Sequence, residues 1–171
     1  WAAATEVYSS SEMLWGLIPG SIGETSKPLI LVGIIMLVLS GIGSWRIMLS
    51  FALGAAITAM LMNIFTAGTV GYEFLQVPWY YQFYMGSLLF ALAFMATDPV
   101  TATSTKTGKW IYGFFIGAVG MIVRVMNPAY PEGWMLAILF MNVFAPLIDY
   151  YVLQANIKRR AKRAKLQTVQ A

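Results

Sequence analysis

Five long stretches of this sequence contain no charged residue, and they leave the chain few ways to fold. They cover residues 28–45, 47–72, 74–97, 110–123 and 133–148. A charged side chain at the centre of a bilayer costs about 2.5–3.5 kcal/mol on insertion scales, so charges mark the ends of membrane segments. A spanning helix needs about 20 apolar residues, so the last two stretches must extend into their flanks. We therefore predict an all-α polytopic membrane protein with five transmembrane helices.

The composition agrees with a membrane-embedded chain. Of the 171 residues, 59% are hydrophobic and 11% are charged, and the mean hydropathy is +0.70; soluble domains carry about 25% charged residues. Cysteine and histidine are both absent. This excludes thiol chemistry, imidazole acid–base catalysis, and zinc, iron–sulfur or His-ligated haem sites built from this chain alone. Redox chemistry here would depend on an organic cofactor or a partner.

Basic residues predict the orientation in the membrane. Six of the eleven Lys and Arg residues lie in the tail 157–165, which the positive-inside rule places in the cytoplasm. This rule explains the tail more simply than nucleic-acid binding does, and we predict no nucleic-acid partner. Loops 41–46 and 98–109 are then cytoplasmic, and loops 66–82 and 126–133 face outside. The predicted divisions are an outer segment 1–26, a five-helix membrane domain 27–156 and a cytoplasmic tail 157–171.

Small and aromatic residues support these helices. Glycines at 54, 113 and 117 favour close helix packing. Four tryptophans lie near predicted helix ends, where they are typical of interfacial belts: Trp45, Trp79, Trp110 and Trp134. Five spans is also the size of one half of an inverted-repeat membrane fold, in which broken helices build the sites. Such breaks are predicted in the loop 19–27, at Asp98-Pro99 and around Asn142 and Pro146.

Several ordered motifs resemble one known family. They are GSIGETS, GIGSWRIMLS, MATDPVTA and NPAYPEGWMLAILFMNVFAPLIDYY, followed by the basic tail, and together they extend over nearly the whole chain. The pattern is similar to the family that contains the NqrB subunit of the bacterial sodium-translocating NADH:quinone reductase and the RnfD subunit of the Rnf electron-transport complex. The long basic ending and the Trp after NPAYPEG are closer to the sodium-pump subunit.

The resemblance implies the second half of a ten-helix inverted-repeat fold in the bacterial inner membrane. It implies an oxidoreductase and translocase complex with other subunits, in which this stretch alone would be inactive. The implied cofactors are a covalent FMN, a riboflavin and a quinone substrate, with sodium as the transported ion. The family attaches FMN to a threonine in an S-G-A-T motif, which this chain lacks. We expect that anchor upstream of Trp1 and do not transfer its role to Thr5.

The loop before residue 28 is the first candidate cofactor site. Gly20 and Gly23 let backbone N–H groups turn inward, while Ser21 and Thr25 offer hydroxyls beside a helix N-terminus; this arrangement suits a flavin phosphate or ring edge. The alternative is a helix start, because Ser21 and Glu24 match the S-x-x-E capping box and Pro28 suits a first turn. Glu24 is a candidate cofactor-binding residue in the first interpretation and the acid of the capping box in the second.

Asp98 is the second candidate site. It follows a charge-free run and precedes Thr101 and Thr103, so oxygen ligands suited to a hard cation collect here. The same hydroxyls could hydrogen-bond a flavin. Spacing of i, i+4 and i+8 puts Phe90, Phe94 and Asp98 on one helix face, as an aromatic ion gate leading to an acid would require. The alternatives are that the phenylalanines only pack and that Asp98 only caps a short helix.

Two further charges are candidates near helix ends. Asp149 ends the fifth span two turns after Asn142 and lies on the predicted ion path, because intramembrane acids are costly to keep. It could instead pair with Lys158 or Arg159. Arg124 lies near the outer end of the fourth span, where it could attract a flavin phosphate or extend to lipid headgroups. No metal site is assigned from the sequence.

Two function classes follow from these residues. The first is a flavin-carrying membrane subunit that passes electrons toward quinone while sodium crosses nearby. The second is an ion or solute transporter half without flavin, in which Asp98 and the two phenylalanines form a gate. An Rnf-type subunit is an alternative within the first class, and sodium and proton coupling both stay open.

Overall fold

The computed structural model describes residues 9–21, 23–66, 77–84, 86–127 and 133–170, and these residues are helical or in turns between helices. The helices are α1 (Ser10–Trp15), α2 (Lys27–Leu39), α3 (Trp45–Thr66), α4 (Tyr81–Tyr84), α5 (Leu88–Phe90), α6 (Lys106–Met126) and α7 (Gly133–Gln170); α5 continues into a π-helical turn, Ala91–Met95. Within the described ranges, three helices are long and apolar enough to cross a membrane: α3, α6 and α7.

These three helices confirm the second, fourth and fifth predicted membrane segments. The first forms a shorter helix, because Pro28 lies in its first turn and the chain turns at Gly41, where φ is +74°. At 13 residues, α2 is about 20 Å long. In the third predicted segment, Gly86 has φ of +78°, and this turn separates α4 from α5. The five spans and the ten-helix repeat therefore stay predictions, and Glu73 and Glu132 of the outer loops lie outside the described residues.

Close helix packing forms the core. Helices α3 and α6 run parallel, and a methyl group added at Gly54, Gly113 or Gly117 would overlap atoms of the opposing helix. The predicted packing role of these glycines is confirmed. Helix α7 runs antiparallel to α6, with Trp134 fully buried against Gly120 and 5.4 Å from the Phe51 ring. Trp134 is thus a core residue, and its assignment to an interfacial belt was wrong.

Helix α7 is continuous for 38 residues and contains Pro146. The predicted break around Asn142 and Pro146 was therefore wrong. Proline removes one backbone donor, but the remaining backbone groups have no water to bond in a bilayer and stay helical. The Asn142 side chain accepts a hydrogen bond from the Tyr112 hydroxyl of α6, so it joins two helices. The helix also continues without interruption into the basic tail.

Candidate functional site

The bundle has two ends with different chemistry. The loop end holds residues 20–27, Gly86 and Arg124, where α2 begins and α6 ends. The acid end holds Asp98 and Asp149, where α6 begins. The cofactor residues predicted from the sequence divide between these ends. Those of the loop and Arg124 lie at the first, while Thr101 and Thr103 lie at the second.

A cleft at the loop end brings together residues from two predicted sites. It has a volume of about 290 Å³ and is lined by Gly23, Thr25, Ser26, Leu29, Ile30, Phe90 and Phe94. The Phe90 and Phe94 rings lie 5.0 Å apart, and Phe94 packs onto Gly33 of α2. The cleft therefore has one wall of hydroxyls and backbone and one wall of aromatic carbon.

The loop is not a helix cap. Gly23 has φ of +89°, a conformation that favours glycine. The backbone N–H of Glu24 donates to the Ser21 carbonyl at 3.2 Å, which closes a turn. Helix α2 starts later, after Ser26, and Ser26 makes no side-chain capping bond. The Ser21–Glu24 capping interpretation was therefore wrong, whereas the position of Pro28 in the first turn is confirmed. A true capping box joins Ser9 and Glu12 at α1, which the sequence reading missed.

Two cations meet beside this loop. Lys27 is only 3% exposed, and its ammonium donates to the carbonyl oxygens of Glu24 (2.7 Å) and Gly86 (3.1 Å). The Arg124 guanidinium lies against the same glycine, and its Nη1 atom is buried without a hydrogen-bond partner. Lys27 and Gly86 also line a small cavity of about 50 Å³, together with Ile18, Pro19, Gly20, Ser21, Glu24 and Thr25. The sequence reading missed Lys27 and Gly86 as site residues, although Lys27 is a basic residue in a segment that the positive-inside rule predicts to face outside.

Asp98 is held in a local turn at the acid end. Its carboxylate accepts hydrogen bonds from the Thr101 hydroxyl (2.7 Å) and from the backbone N–H groups of Val100 and Thr101 (both 3.3 Å). The Thr101 hydroxyl and the Val100 N–H lower the pKa of Asp98. The helix before it ends at Met95, as the Asp98-Pro99 pair predicted.

The predicted helix face shared by Phe90, Phe94 and Asp98 does not form. The π-helical turn Ala91–Met95 adds a residue to the turn and shifts every later position around the axis. Asp98 then follows the helix instead of lying on it. The two phenylalanines line the cleft near Gly23, and Asp98 bonds within its own turn, so the structure separates the aromatic pair from the acid.

Asp149 secures the start of α6 by bonding its N-cap residue, Thr105, whose own hydroxyl accepts from the Gly108 N–H. Its carboxylate accepts hydrogen bonds from the Ser104 N–H (2.7 Å), the Thr105 N–H (3.1 Å) and the Thr105 hydroxyl (2.6 Å). These are the bonds the structure records for it, and they replace the predicted pairing with Lys158 or Arg159. Thr103 is buried nearby, and its hydroxyl has no hydrogen-bond partner. Among the described residues, no three acidic side chains group together as possible metal ligands.

A comparison with models of known protein families shows which family this chain belongs to. The model of the NQR2, RnfD, RnfE family matches residues 2–158. The chain belongs to this family. Every candidate residue at both ends of the bundle lies inside the matched region, so the resemblance inferred from the motifs is confirmed.

Individual members of the NQR2, RnfD, RnfE family are similar over most of this chain. The B subunit of the Na(+)-translocating NADH-quinone reductase of Chromohalobacter salexigens is 50% identical over 163 residues, covering 95% of this chain and 39% of the relative. The B subunits of the same enzyme from Chlamydia caviae and Klebsiella pneumoniae are each 50% identical, over 159 and 148 residues, covering 90% and 86% of this chain. The chain spans about a third to two fifths of the length of these relatives.

Proposed function

We propose that this chain is the C-terminal part of the B subunit of a sodium-translocating NADH:quinone oxidoreductase, a multi-subunit complex of the bacterial inner membrane. The observation that carries the proposal is about 50% identity to such subunits over nine tenths of the chain. The subunit would hold flavin at its outer side and help to couple electron transfer toward quinone with sodium transport. The basic end of α7 would face the cytoplasm under the positive-inside rule.

The cleft at the loop end fits one part of a flavin. Its volume of about 290 Å³ is near the lower limit for ligand pockets. Phe90 and Phe94 offer aromatic faces for an isoalloxazine ring, and Thr25 and Ser26 offer hydroxyls for its polar edge. The covalent FMN would be anchored upstream of residue 1, so these residues would hold the ring rather than the attachment point.

When bound, the flavins supply the one- and two-electron chemistry. The residues of this chain would fix the position of a flavin and exclude water from one of its faces. For the ion, Asp98 stays a proposed entry acid at the acid end, where its carboxylate is accessible. Asp149 also stays a proposed residue of the ion path, and an ion would share its oxygens with the hydrogen bonds from Ser104 and Thr105.

A test of the flavin assignment uses the full-length subunit. The protein would be purified in its complex, denatured in acid, and examined on a gel for flavin fluorescence. We expect a fluorescent band, with its anchor in the sequence before residue 1. A dark band would contradict the covalent flavin and favour a transporter half.

A second test asks whether a flavin binds in the cleft. Gly23→Ala introduces a side chain at φ of +89° beside Phe90, whereas Gly41→Ala makes the same kind of change at φ of +74° with no atom within 4 Å. Both cost about 1–2 kcal/mol of backbone strain. Only Gly23→Ala is expected to shift the midpoint potential of a flavin in the complex. Equal behaviour of the two variants would remove the flavin from this cleft.

A further inference from the structure

We infer that Lys27 and Arg124 form an anion site at the loop end, and that its ligand is the phosphate group of a phosphate ester. The site is the cavity of about 50 Å³ beside Gly86. Nothing in the family match assigns a ligand to these two residues. The source of the phosphate is either a phospholipid headgroup or a flavin. The flavin source alone rests on the proposed function.

The charges of the described residues in this region do not balance. The ammonium of Lys27 is repelled by Arg124 and attracted by the carboxylate of Glu24. Among the described residues here, two cations and one carboxylate leave one positive charge, with Lys27 buried and Arg124 partly buried. A buried charge is strongly unfavourable unless it is paired, so a second anion is expected here.

The hydrogen bonds are incomplete as well. The Nη1 atom of Arg124 is buried and has no partner, although a guanidinium carries five N–H donors. Each buried donor without an acceptor costs about 1–3 kcal/mol. Lys27 and Gly86 line the adjoining cavity, and Nη1 of Arg124 lies against Gly86, so an oxyanion bound beside this glycine would have both cations as neighbours.

The geometry of Gly86 keeps the space open. A methyl group at this residue would lie 2.7 Å from Nη1 and 2.9 Å from Nη2 of Arg124, so only glycine permits the guanidinium to approach the backbone here. The cavity exceeds the roughly 15 Å³ that one water molecule needs. Arginine with a second cation is typical of phosphate recognition, because the planar fork donates two parallel hydrogen bonds.

The experiment uses the full-length subunit in its detergent-extracted complex, supplied with phosphatidylglycerol. Native mass spectrometry would count retained phospholipids, and the ³¹P resonance of the flavin would report on its phosphate. The variants are Arg124→Gln and Lys27→Gln, with Arg124→Lys as the charge-retaining variant. Lys106→Gln is the matched control, because Lys106 is exposed at the opposite end of α6.

A lipid source predicts one fewer phospholipid per subunit in Arg124→Gln and Lys27→Gln, with Arg124→Lys and the control unchanged. A flavin source predicts an unchanged lipid count and a shifted ³¹P resonance in the same two variants. If neither quantity differs from the Lys106→Gln control, the site is overturned. If Arg124→Gln does not assemble, Lys27→Gln decides between these outcomes. A protein that lacks flavin but loses a phospholipid would contradict the proposed function and still support the site.

Discussion

The two ends of the bundle treat their charged groups in opposite ways. At the acid end, both carboxylates are satisfied by nearby N–H and hydroxyl groups: Asp98 within its own turn and Asp149 across to Thr105. At the loop end, the hydrogen bonds of Lys27 to described residues go to two backbone carbonyls, and Arg124 has a buried nitrogen without a partner. A satisfied charge stabilises a fold, whereas an unsatisfied buried charge points to something that binds it. The loop end is therefore the better candidate for a ligand site.

The largest effect on stability is expected from removing the hydrogen bonds of Asp149 at the acid end. Asp149→Ala removes three hydrogen bonds from residues 104 and 105 and leaves two backbone donors without that acceptor. We expect a loss of about 2–3 kcal/mol in the free energy of unfolding, which is less than three hydrogen bonds to a charged group would give in a buried site, because this site is partly exposed and the freed donors can bond water. Thermal unfolding of the purified complex in detergent measures this loss.

Asp149→Asn sharpens that test, because the amide keeps one acceptor oxygen but presents an NH₂ group to a backbone donor. Its stability should lie between those of the wild type and the alanine variant. If Asp149→Ala unfolds like the Lys106→Gln control but loses sodium-dependent turnover, Asp149 belongs to the ion path rather than to the helix cap.

The next largest effect on stability is expected at the loop end. Gly86→Ala adds a methyl group at φ of +78° that overlaps the Arg124 guanidinium, whereas Gly41→Ala adds only the backbone strain. We expect both variants to lose about 1–2 kcal/mol from strain. Gly86→Ala should lose more, because the Arg124 guanidinium must also move. Melting temperatures of the two variants, compared side by side, check this difference; equal values would mean that Arg124 has room to move away at no cost.

Local features were predictable from the sequence, and long-range contacts were not. Charge-free runs located α3, α6 and α7, and small residues located their packing, because both signals are properties of one helix. Asp149 meets Thr105 from 44 positions away, and Lys27 meets Gly86 from 59 positions away. No spacing rule relates residues so distant in the chain. The sequence therefore indicated Asp149 as a charge in the membrane but not the backbone donors that satisfy it.

The π-helical turn explains a different kind of failure. The i, i+4, i+8 rule assumes regular α-helical geometry between Phe90 and Asp98, and the chain departs from it at Ala91–Met95. Charges and glycines do not mark such a turn in advance. Gly86 was likewise read as part of an apolar run, although its positive φ is what ends α4 and admits the Arg124 guanidinium.

The smallest effect on stability is expected at Asp98, and it separates the two acids. Because the Thr101 hydroxyl and the Val100 N–H lower its pKa below the usual 3.8, the ionised form is favoured in the folded protein. Its contribution to stability is complete above the unfolded pKa and is lost as the pH falls through the lower, folded pKa. Asp98→Asn should therefore leave the melting temperature at pH 7 nearly unchanged and reduce the loss of stability below about pH 4. A large destabilisation at pH 7 would show that the Asp98 turn stabilises the fold as the hydrogen bonds of Asp149 do.

The same variant tests the ion path free of folding effects. If Asp98 is an entry acid for sodium, Asp98→Asn should lower sodium-stimulated quinone reduction while the complex stays assembled and its flavin stays attached. Asp149→Ala should show the opposite result, a larger effect on stability than on sodium-stimulated quinone reduction. Unchanged sodium dependence in Asp98→Asn would remove this acid from the path. If Asp149→Ala also kept its sodium dependence, both carboxylates would do no more than hold a turn and a helix start in place, and the acid end would be structural throughout.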